Sequence, residues 1–85
     1  MAYFQRIYMD AGMLQRAKIV YFYLHDRMDR SRICWPGIKR IAADLSMSRS
    51  TVKRALKDLE KAGYIEIKPA YRENGSLTSN RYHIL

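Results

Sequence analysis

Apolar residues recur along this chain at a helical spacing as far as residue 62 and at an alternating spacing after residue 64. The first helical pattern runs from Leu14 to about Met28. Its apolar face consists of Leu14, Ala17, Val20, Tyr21, Leu24 and Met28. Asp10 precedes this pattern and is expected to be the N-cap, because a short carboxylate accepts a hydrogen bond from a first-turn amide. The pattern predicts an amphipathic helix with its charged residues outside the apolar face.

Two shorter helical patterns follow, separated by only three residues. Apolar residues at i, i+3, i+4 and i+7 predict a second helix of about two turns, and they are Ile38, Ile41, Ala42 and Leu45. Ser48 is placed to cap a third helix by accepting a hydrogen bond from the amide of Thr51. The third helix is expected from Arg49 to Ala62, with Gly63 beyond its C-terminus. Its buried face consists of Val52, Ala55, Leu56 and Leu59.

Short segments that favour β-structure lie before the second helix and after the third. Residues 33–35 form one such run, which a Pro-Gly pair stops. The alternating pattern covers residues 65–68 and 81–84, and Asn74-Gly75 between them suits a tight type I′ turn. Pro69 is expected where the first of these two strands leaves the ladder or faces an open edge. Together these elements predict a mainly α fold with a small β-hairpin.

The composition narrows the class of protein. Eighty-five residues with a 48% hydrophobic share suit one small globular domain, so residues 1–85 are expected to form a single domain. The sequence has one cysteine, Cys34, and no cluster of Cys and His at metal-ligand spacing, so neither an internal disulfide, a metal nor another cofactor is expected. The longest apolar run, residues 19–24, is too short to cross a membrane, and the N-terminus lacks a secretory signal. A cytoplasmic protein is expected.

The charge balance points to a polyanionic partner. Sixteen Lys and Arg against eight Asp and Glu give a formal net charge of +8. Advancing 100° per residue from Val52 places basic or hydroxyl side chains opposite the apolar face of the third helix, and they are Ser50, Lys53, Arg54, Lys57 and Lys61. No acidic residue lies between Leu45 and Lys57. An inert solvated face usually mixes both signs of charge, so this face favours nucleic-acid contact.

Residues 38–57, IKRIAADLSMSRSTVKRALK, resemble the bacterial helix-turn-helix signature, with Ala42 at the helix crossing, Met47 in the turn and Val52 in the second helix. The segment EKAGYIEI looks like the helix-to-wing junction of winged helix-turn-helix domains, and SNRYHIL is similar to their last wing strand. The resemblance covers residues 13–85 and leaves residues 1–12 as an extension. The turn position that is usually glycine is Ser46 here, and serine adopts left-handed geometry less readily. The modules of phage and plasmid replication-initiator proteins are the most similar, followed by GntR-type transcription factors.

The resemblance implies a winged helix-turn-helix fold with a three-helix core, a short strand and a two-stranded wing. It implies sequence-specific binding of double-stranded DNA by a replication-initiator or transcription-regulator module of a bacterium, phage or plasmid, with the third helix in the major groove. The candidate residues at this helix are Ser48, Arg49, Ser50, Thr51, Lys53, Arg54 and Lys57. Lys39 and Arg40 are expected to contact phosphates at the start of the second helix. The wing candidates are Arg72, Asn74, Ser76, Asn80 and Arg81.

Other interpretations of these residues stay open. Arg81 is alternatively expected to pair with Glu66 across the strands. An enzyme is not expected, because neither of the two histidines has a catalytic or metal-binding partner at a suitable spacing. The alternative function is a protein-docking module whose surface is the aromatic run Tyr21, Phe22 and Tyr23 of the first helix. A homodimer is left open, and the end of the chain directly after the last wing strand suggests a module of a longer protein.

Overall fold

The computed structural model describes residues 7, 9–69 and 80–85, and these residues contain three helices and three strands. In chain order they are α1 Gln15–Arg27, β1 Ile33–Cys34, α2 Ile38–Leu45, α3 Arg49–Lys61, β2 Ile65–Lys68 and β3 Arg81–Ile84. The strands form one antiparallel sheet in the order β1-β3-β2. This is the arrangement of a winged helix-turn-helix domain and confirms the predicted fold class.

The prediction that Asp10 caps α1 is wrong. The helix begins at Gln15, and Leu14 occupies the N-cap position without a side-chain hydrogen bond. The Asp10 carboxylate instead accepts hydrogen bonds from the amide of Gly12 at 3.0 Å and from the hydroxyl of Tyr64 at 2.9 Å. It therefore fixes the turn that precedes the helix rather than the helix itself.

Leu14 is 50% exposed, which contradicts its predicted place in the apolar face of α1. The buried residues of α1 are Ala17, Val20, Tyr21 and Leu24.

The turn between α2 and α3 uses a left-handed serine. Ser46 has φ 55° and ψ 43°, the backbone conformation that glycine adopts most readily at the end of a helix. The amide of Met47 donates to the carbonyl of Ala42 at 2.9 Å, and the amide of Ser46 donates to that of Ala43 at 3.4 Å. These bonds satisfy carbonyl groups in the last turn of α2, so the helix ends sharply and the chain can reverse towards α3.

Both ends of α3 are fixed by local hydrogen bonds. The Ser48 hydroxyl accepts from the amide of Thr51 at 3.1 Å, as predicted from the capping pattern. At the other end Gly63 has φ 82°, and the amide of Tyr64 donates to the carbonyl of Leu59 at 2.9 Å. This is a Schellman ending, and it stops α3 one residue earlier than predicted.

The register of the hairpin strands puts alternate residues on opposite faces of the sheet. Ile65 lies opposite Ile84 and Ile67 lies opposite Tyr82 on the inner face, which confirms the predicted alternation. Pro69 follows directly after β2, an edge strand of this sheet, as expected for a residue without an amide donor.

The core lies between α1, α3 and the inner face of the sheet, and it holds α3 by its apolar side. Its buried residues are Ile7, Met13, Ala17, Val20, Tyr21, Leu24, Cys34, Ile41, Ala42, Val52, Ala55, Leu56, Leu59, Tyr64, Ile65, Tyr82 and Ile84. Ile7 belongs to the N-terminal extension and is only 1% exposed, so the extension contributes to the core. Among the described residues, no helix is both long and apolar enough to cross a membrane.

Candidate nucleic-acid interface

The two faces of α3 differ sharply in burial and charge. Val52, Leu56 and Leu59 are buried against the rest of the core, which fixes the rotation of the helix about its axis. The exposed candidates on the opposite side are Arg49, Ser50, Lys53, Arg54 and Lys57, and Lys61 is exposed as well. Thr51 is half-buried beside the cap. The structure thus presents the outer face that the 100° rotation predicted.

The dimensions of α3 suit a DNA groove. Its 13 residues give a length of roughly 20 Å at 1.5 Å per residue. A helix with its side chains is about 10–12 Å across, close to the ~12 Å width of the major groove of B-DNA. The first turn contains no acidic residue. The positive end of the helix dipole and the basic side chains therefore both attract an anion to the N-terminal half of α3.

The basic residues of α3 form no ion pair with any residue that the structure describes. Within residues 7, 9–69 and 80–85 the ion pairs are Arg27–Asp44, Arg40–Asp44 and Lys68–Glu66, and none includes a side chain of α3. Asp58 is half-buried and Glu60 is exposed in the C-terminal half of α3. The positive charge is consequently concentrated on the N-terminal half, which begins at the Ser48 cap.

A surface depression joins α3 to the base of the wing. Lys53 and Lys57 line it on one side, and Ile67 of β2 and Asn80 line it on the other. Ile38, Leu56 and Glu60 complete the lining, and the volume is about 330 Å³. The structure therefore brings together two candidates from the helix and one candidate from the wing.

The start of α2 presents a second group of polar features. Lys39 is exposed and forms no ion pair with any described residue. Gly37 is the N-cap, and no side chain caps the first-turn amides. Such amides are common partners of phosphate groups. Arg40 is also exposed, but its Nε donates to Oδ2 of Asp44 at 3.1 Å.

Asp44 is the centre of a cluster that the sequence analysis missed. Its Oδ2 atom accepts hydrogen bonds from the hydroxyl of Tyr23 at 2.6 Å, Nη2 of Arg27 at 3.0 Å and Nε of Arg40 at 3.1 Å. The Arg27 guanidinium also lies 4.8 Å from the centre of the Tyr23 ring. The hydrogen bonds from Tyr23 and Arg40 lower the pKa of Asp44, and burial and the bond to Asp44 raise the pKa of Tyr23. The i,i+4 spacing of Arg40 and Asp44 is the one sequence signal that points to this cluster.

The wing candidates divide into two sets. Arg72, Asn74 and Ser76 lie outside the described residues, as does the turn predicted at Asn74-Gly75. Asn80 lines the depression beside α3, and Arg81 is exposed at the start of β3.

The alternative pairing of Arg81 with Glu66 is wrong. The strand register places Lys68 opposite Arg81 and His83 opposite Glu66. The Glu66 carboxylate instead pairs with Lys68 on its own strand at 3.1 Å. Arg81 therefore remains a candidate for contact outside the chain.

The aromatic run of α1 is largely occupied within the chain. Tyr21 is 5% exposed and packs edge-on against Tyr64, with ring centres 5.7 Å apart. Phe22 and Tyr23 are half-buried against the core. The docking alternative therefore loses the first of its three surface residues, because Tyr21 is not available at the surface.

One comparison with known proteins gives a match. A family model described as a helix-turn-helix domain matches residues 11–65, which is more than half of the chain. The match begins before α1 and ends at the first residue of β2, so it includes all three helices. No curated protein and no solved structure matches the chain.

Proposed function

Because this chain belongs to the helix-turn-helix domain family, which indicates DNA binding in general, we propose that it binds double-stranded DNA in a sequence-specific manner. In this proposal α3 lies in the major groove, and the chain serves as a replication-initiator or transcription-regulator module. Both roles use the same kind of DNA contact. We propose these two roles because the sequence resembles those two classes of protein.

The observation that carries the proposal is the unpaired basic face of α3. Arg49, Lys53, Arg54 and Lys57 are exposed and have no carboxylate partner among the described residues. Each exposed cation that meets a phosphate releases counterions, which favours binding to duplex DNA at moderate salt. A face that only kept the protein soluble would gain nothing from excluding acidic residues over this stretch.

Individual roles follow from side-chain chemistry. Arg49 can contact the O6 and N7 atoms of guanine with two parallel hydrogen bonds. Ser50 and Thr51 can bond to bases or phosphates, and Lys53 and Arg54 are long enough to reach base edges. Lys57, farther along the helix, can reach base edges or the backbone, and we assign Ser48, at the start of α3, to a phosphate contact.

The backbone contacts of the proposal flank α3 on two sides. Lys39, Arg40 and the uncapped amides of α2 contact phosphates on one side. The wing contacts the neighbouring groove or phosphates on the other side through Arg72, Asn74, Ser76, Asn80 and Arg81. Asn80 supports this arrangement because it lines the same depression as Lys53 and Lys57.

The test begins with selection of a preferred duplex from a random pool by the 85-residue chain. Fluorescence anisotropy then gives the affinity for that duplex and for a scrambled one at several salt concentrations. Replacing Lys53 or Arg54 with Ala should weaken binding to the selected duplex by about 1–3 kcal/mol if the side chain contacts a base, and should reduce discrimination. Lys39→Ala should weaken binding to both duplexes equally and lower the salt slope by about 0.9.

Lys61→Ala is the matched control on the same helix. It removes one positive charge but lies eight residues beyond Lys53, roughly 12 Å along the axis. Its effect on discrimination should be small. The proposal fails if the chain binds no duplex in a salt-dependent manner, or if Lys61→Ala and Arg54→Ala weaken binding equally on both duplexes.

A further inference from the structure

A second depression lies at the start of α2. It has a volume of about 330 Å³ and is lined by Arg27, Arg40 and Trp35, together with Asp29, Ile33, Cys34 and Pro36. Trp35 is 59% exposed, although it is a large aromatic residue. Pro36 leads directly to Gly37, the N-cap of α2, and no side chain caps the first-turn amides of that helix.

Asp44 binds both arginines of this depression. Arg27 comes from the end of α1 and Arg40 from the first turns of α2, and both donate to the same oxygen of Asp44. The bond from Arg40 uses Nε, so its two terminal nitrogens form no hydrogen bond to a carboxylate in the described part of the chain. The side chains of Arg27 and Arg40 remain 42% and 64% exposed, so both can still reach a partner.

We propose that Asp44 is a positioning residue for DNA binding, which holds Arg27 and Arg40 where both contact the phosphodiester backbone beside the start of α2. Trp35 packs against the sugar of the same backbone segment. The inference rests on the proposed function, and it adds Arg27, Trp35 and Asp44 to the DNA-binding surface.

The physical reason is the entropy of the arginine side chains. Ordering a flexible side chain on binding costs about 0.5–1.5 kcal/mol, a factor of about 2–12 in affinity, and a side chain already held in place avoids much of that loss. Arginine is suited to this role because its planar group can bond to a carboxylate along one edge and to a phosphate along another. Arg27, Arg40 and Asp44 keep a formal charge of +1, which Asp29 in the lining of the depression balances, so a phosphate is attracted by the exposed guanidinium N–H groups rather than by a net charge of the site.

Charge alone and positioning predict opposite results for Asp44→Asn. This variant raises the formal net charge from +8 to +9, which by itself should tighten binding to DNA. If Asp44 positions the arginines, the variant should instead weaken duplex binding about three- to tenfold, because the neutral amide holds them less firmly. The sign of the change separates the two interpretations.

Asp26→Asn is the matched control for that measurement. Asp26 is exposed on α1 next to Arg27 and forms no ion pair with a described residue. The substitution makes the same change in net charge near the same arginine but leaves the Asp44 cluster intact. It should leave the affinity unchanged or tighten it slightly. Thermal unfolding of both variants shows whether they are folded at the temperature of the binding assay.

Two further readouts do not depend on the fold surviving Asp44→Asn. Trp35 is the sole tryptophan of the sequence, so quenching of the intrinsic tryptophan fluorescence by neutral acrylamide reports directly on this depression. In the unaltered protein, saturating duplex should reduce that quenching. Arg27→Gln should lower the slope of log affinity against log salt by about 0.9, the loss of one phosphate contact.

The outcomes distinguish this inference from the proposed function. Salt-dependent binding that Lys53→Ala and Arg54→Ala weaken, with Asp44→Asn at least as tight as the unaltered protein, overturns the positioning role alone. Unchanged quenching of Trp35 by acrylamide on a saturating duplex, or an unchanged salt slope for Arg27→Gln, removes the depression from the interface. Absence of any duplex binding by the unaltered protein overturns both proposals.

Discussion

Because Ser46 has a left-handed conformation, we expect Ser46→Gly to stabilise the protein. With φ 55° and ψ 43°, the Cβ of a non-glycine residue is crowded against its own backbone, which costs roughly 1–2 kcal/mol. Ser46→Gly removes this cost but makes the unfolded chain more flexible, which costs about 0.4–1 kcal/mol. The exposed Ser46 side chain forms no hydrogen bond within the described residues. The substitution should therefore stabilise the protein by roughly 0.5–1 kcal/mol.

Thermal unfolding followed by circular dichroism at 222 nm measures this difference. For a domain of this size, 1 kcal/mol corresponds to a shift in Tm of about 4–8 °C, so Ser46→Gly should raise the Tm by roughly 2–8 °C. The affinity for DNA should stay the same, because glycine keeps the turn and hence the angle between α2 and α3. A Tm that is unchanged or lower would refute the reasoning, since left-handed strain would then not be the dominant cost.

Arg32→Gly is the control that separates strain from side-chain contacts. Arg32 also has a positive φ, 64°, but its Nε donates to the carbonyl of Ile84 at 2.8 Å and its Nη2 to that of Leu85 at 3.3 Å. Glycine relieves the same backbone strain and loses both bonds to the last residues of the chain. Hydrogen bonds from a charged group contribute about 1.5–3 kcal/mol, so Arg32→Gly should lower the Tm where Ser46→Gly raises it.

Substitutions at three further positions test other parts of the structure. Ser48→Ala removes the cap on the Thr51 amide and should lower stability by about 0.5–2 kcal/mol in denaturant titration, whereas Ser48→Thr should restore most of it. Ser50→Glu places a negative charge in the first turn of α3, where it interacts favourably with the helix dipole, so the Tm should be unchanged or higher. The same charge repels phosphate and should weaken duplex binding roughly tenfold or more. Retained affinity would contradict the position of α3 on DNA. Burial raises the pKa of the Cys34 thiol to about 11, above the ~8.5 of an exposed thiol. Between about pH 8.5 and 11 the unfolded chain therefore loses this proton while the folded protein keeps it, so the free energy of unfolding should fall as the pH rises. This fall should be smaller in Cys34→Ala.

The helices were predictable because their signals are local. The bounds of α2 follow from four apolar residues within eight positions, and the start of α3 follows from a serine three residues before the amide that it caps. Each of these signals lies within one or two turns, so competing contacts from distant parts of the chain have little influence. The exposed face of α3 was predictable for the same reason, since burial of Val52 and Leu56 fixes where the other side chains point.

Contacts between distant residues could not be predicted in this way. Asp10 has a good local use as a helix cap, but its carboxylate bonds to Tyr64, 54 residues away, and the local preference is overridden. The partners of Asp44 on α1 lie 17 and 21 residues earlier, and no periodicity connects them. The pairing expected between Arg81 and Glu66 failed because strand register depends on the connection between β2 and β3 rather than on charge.

The position of the carboxylates matters more for function here than the net charge does. In the described part of the chain, Asp44 pairs with one arginine of α1 and one of α2, and Glu66 pairs with a lysine of β2, so none of the ion pairs reduces the charge of α3. A sequence with the same +8 but with these two carboxylates on the outer face of α3 would have the same composition and a much weaker field at that helix. Because exposed charges are screened over about 8 Å at physiological salt, DNA responds mainly to the residues nearest to it. The salt dependence of binding should therefore follow substitutions on α3, at the start of α2, at Arg27 and in the wing, and should be nearly insensitive to equal changes of charge elsewhere.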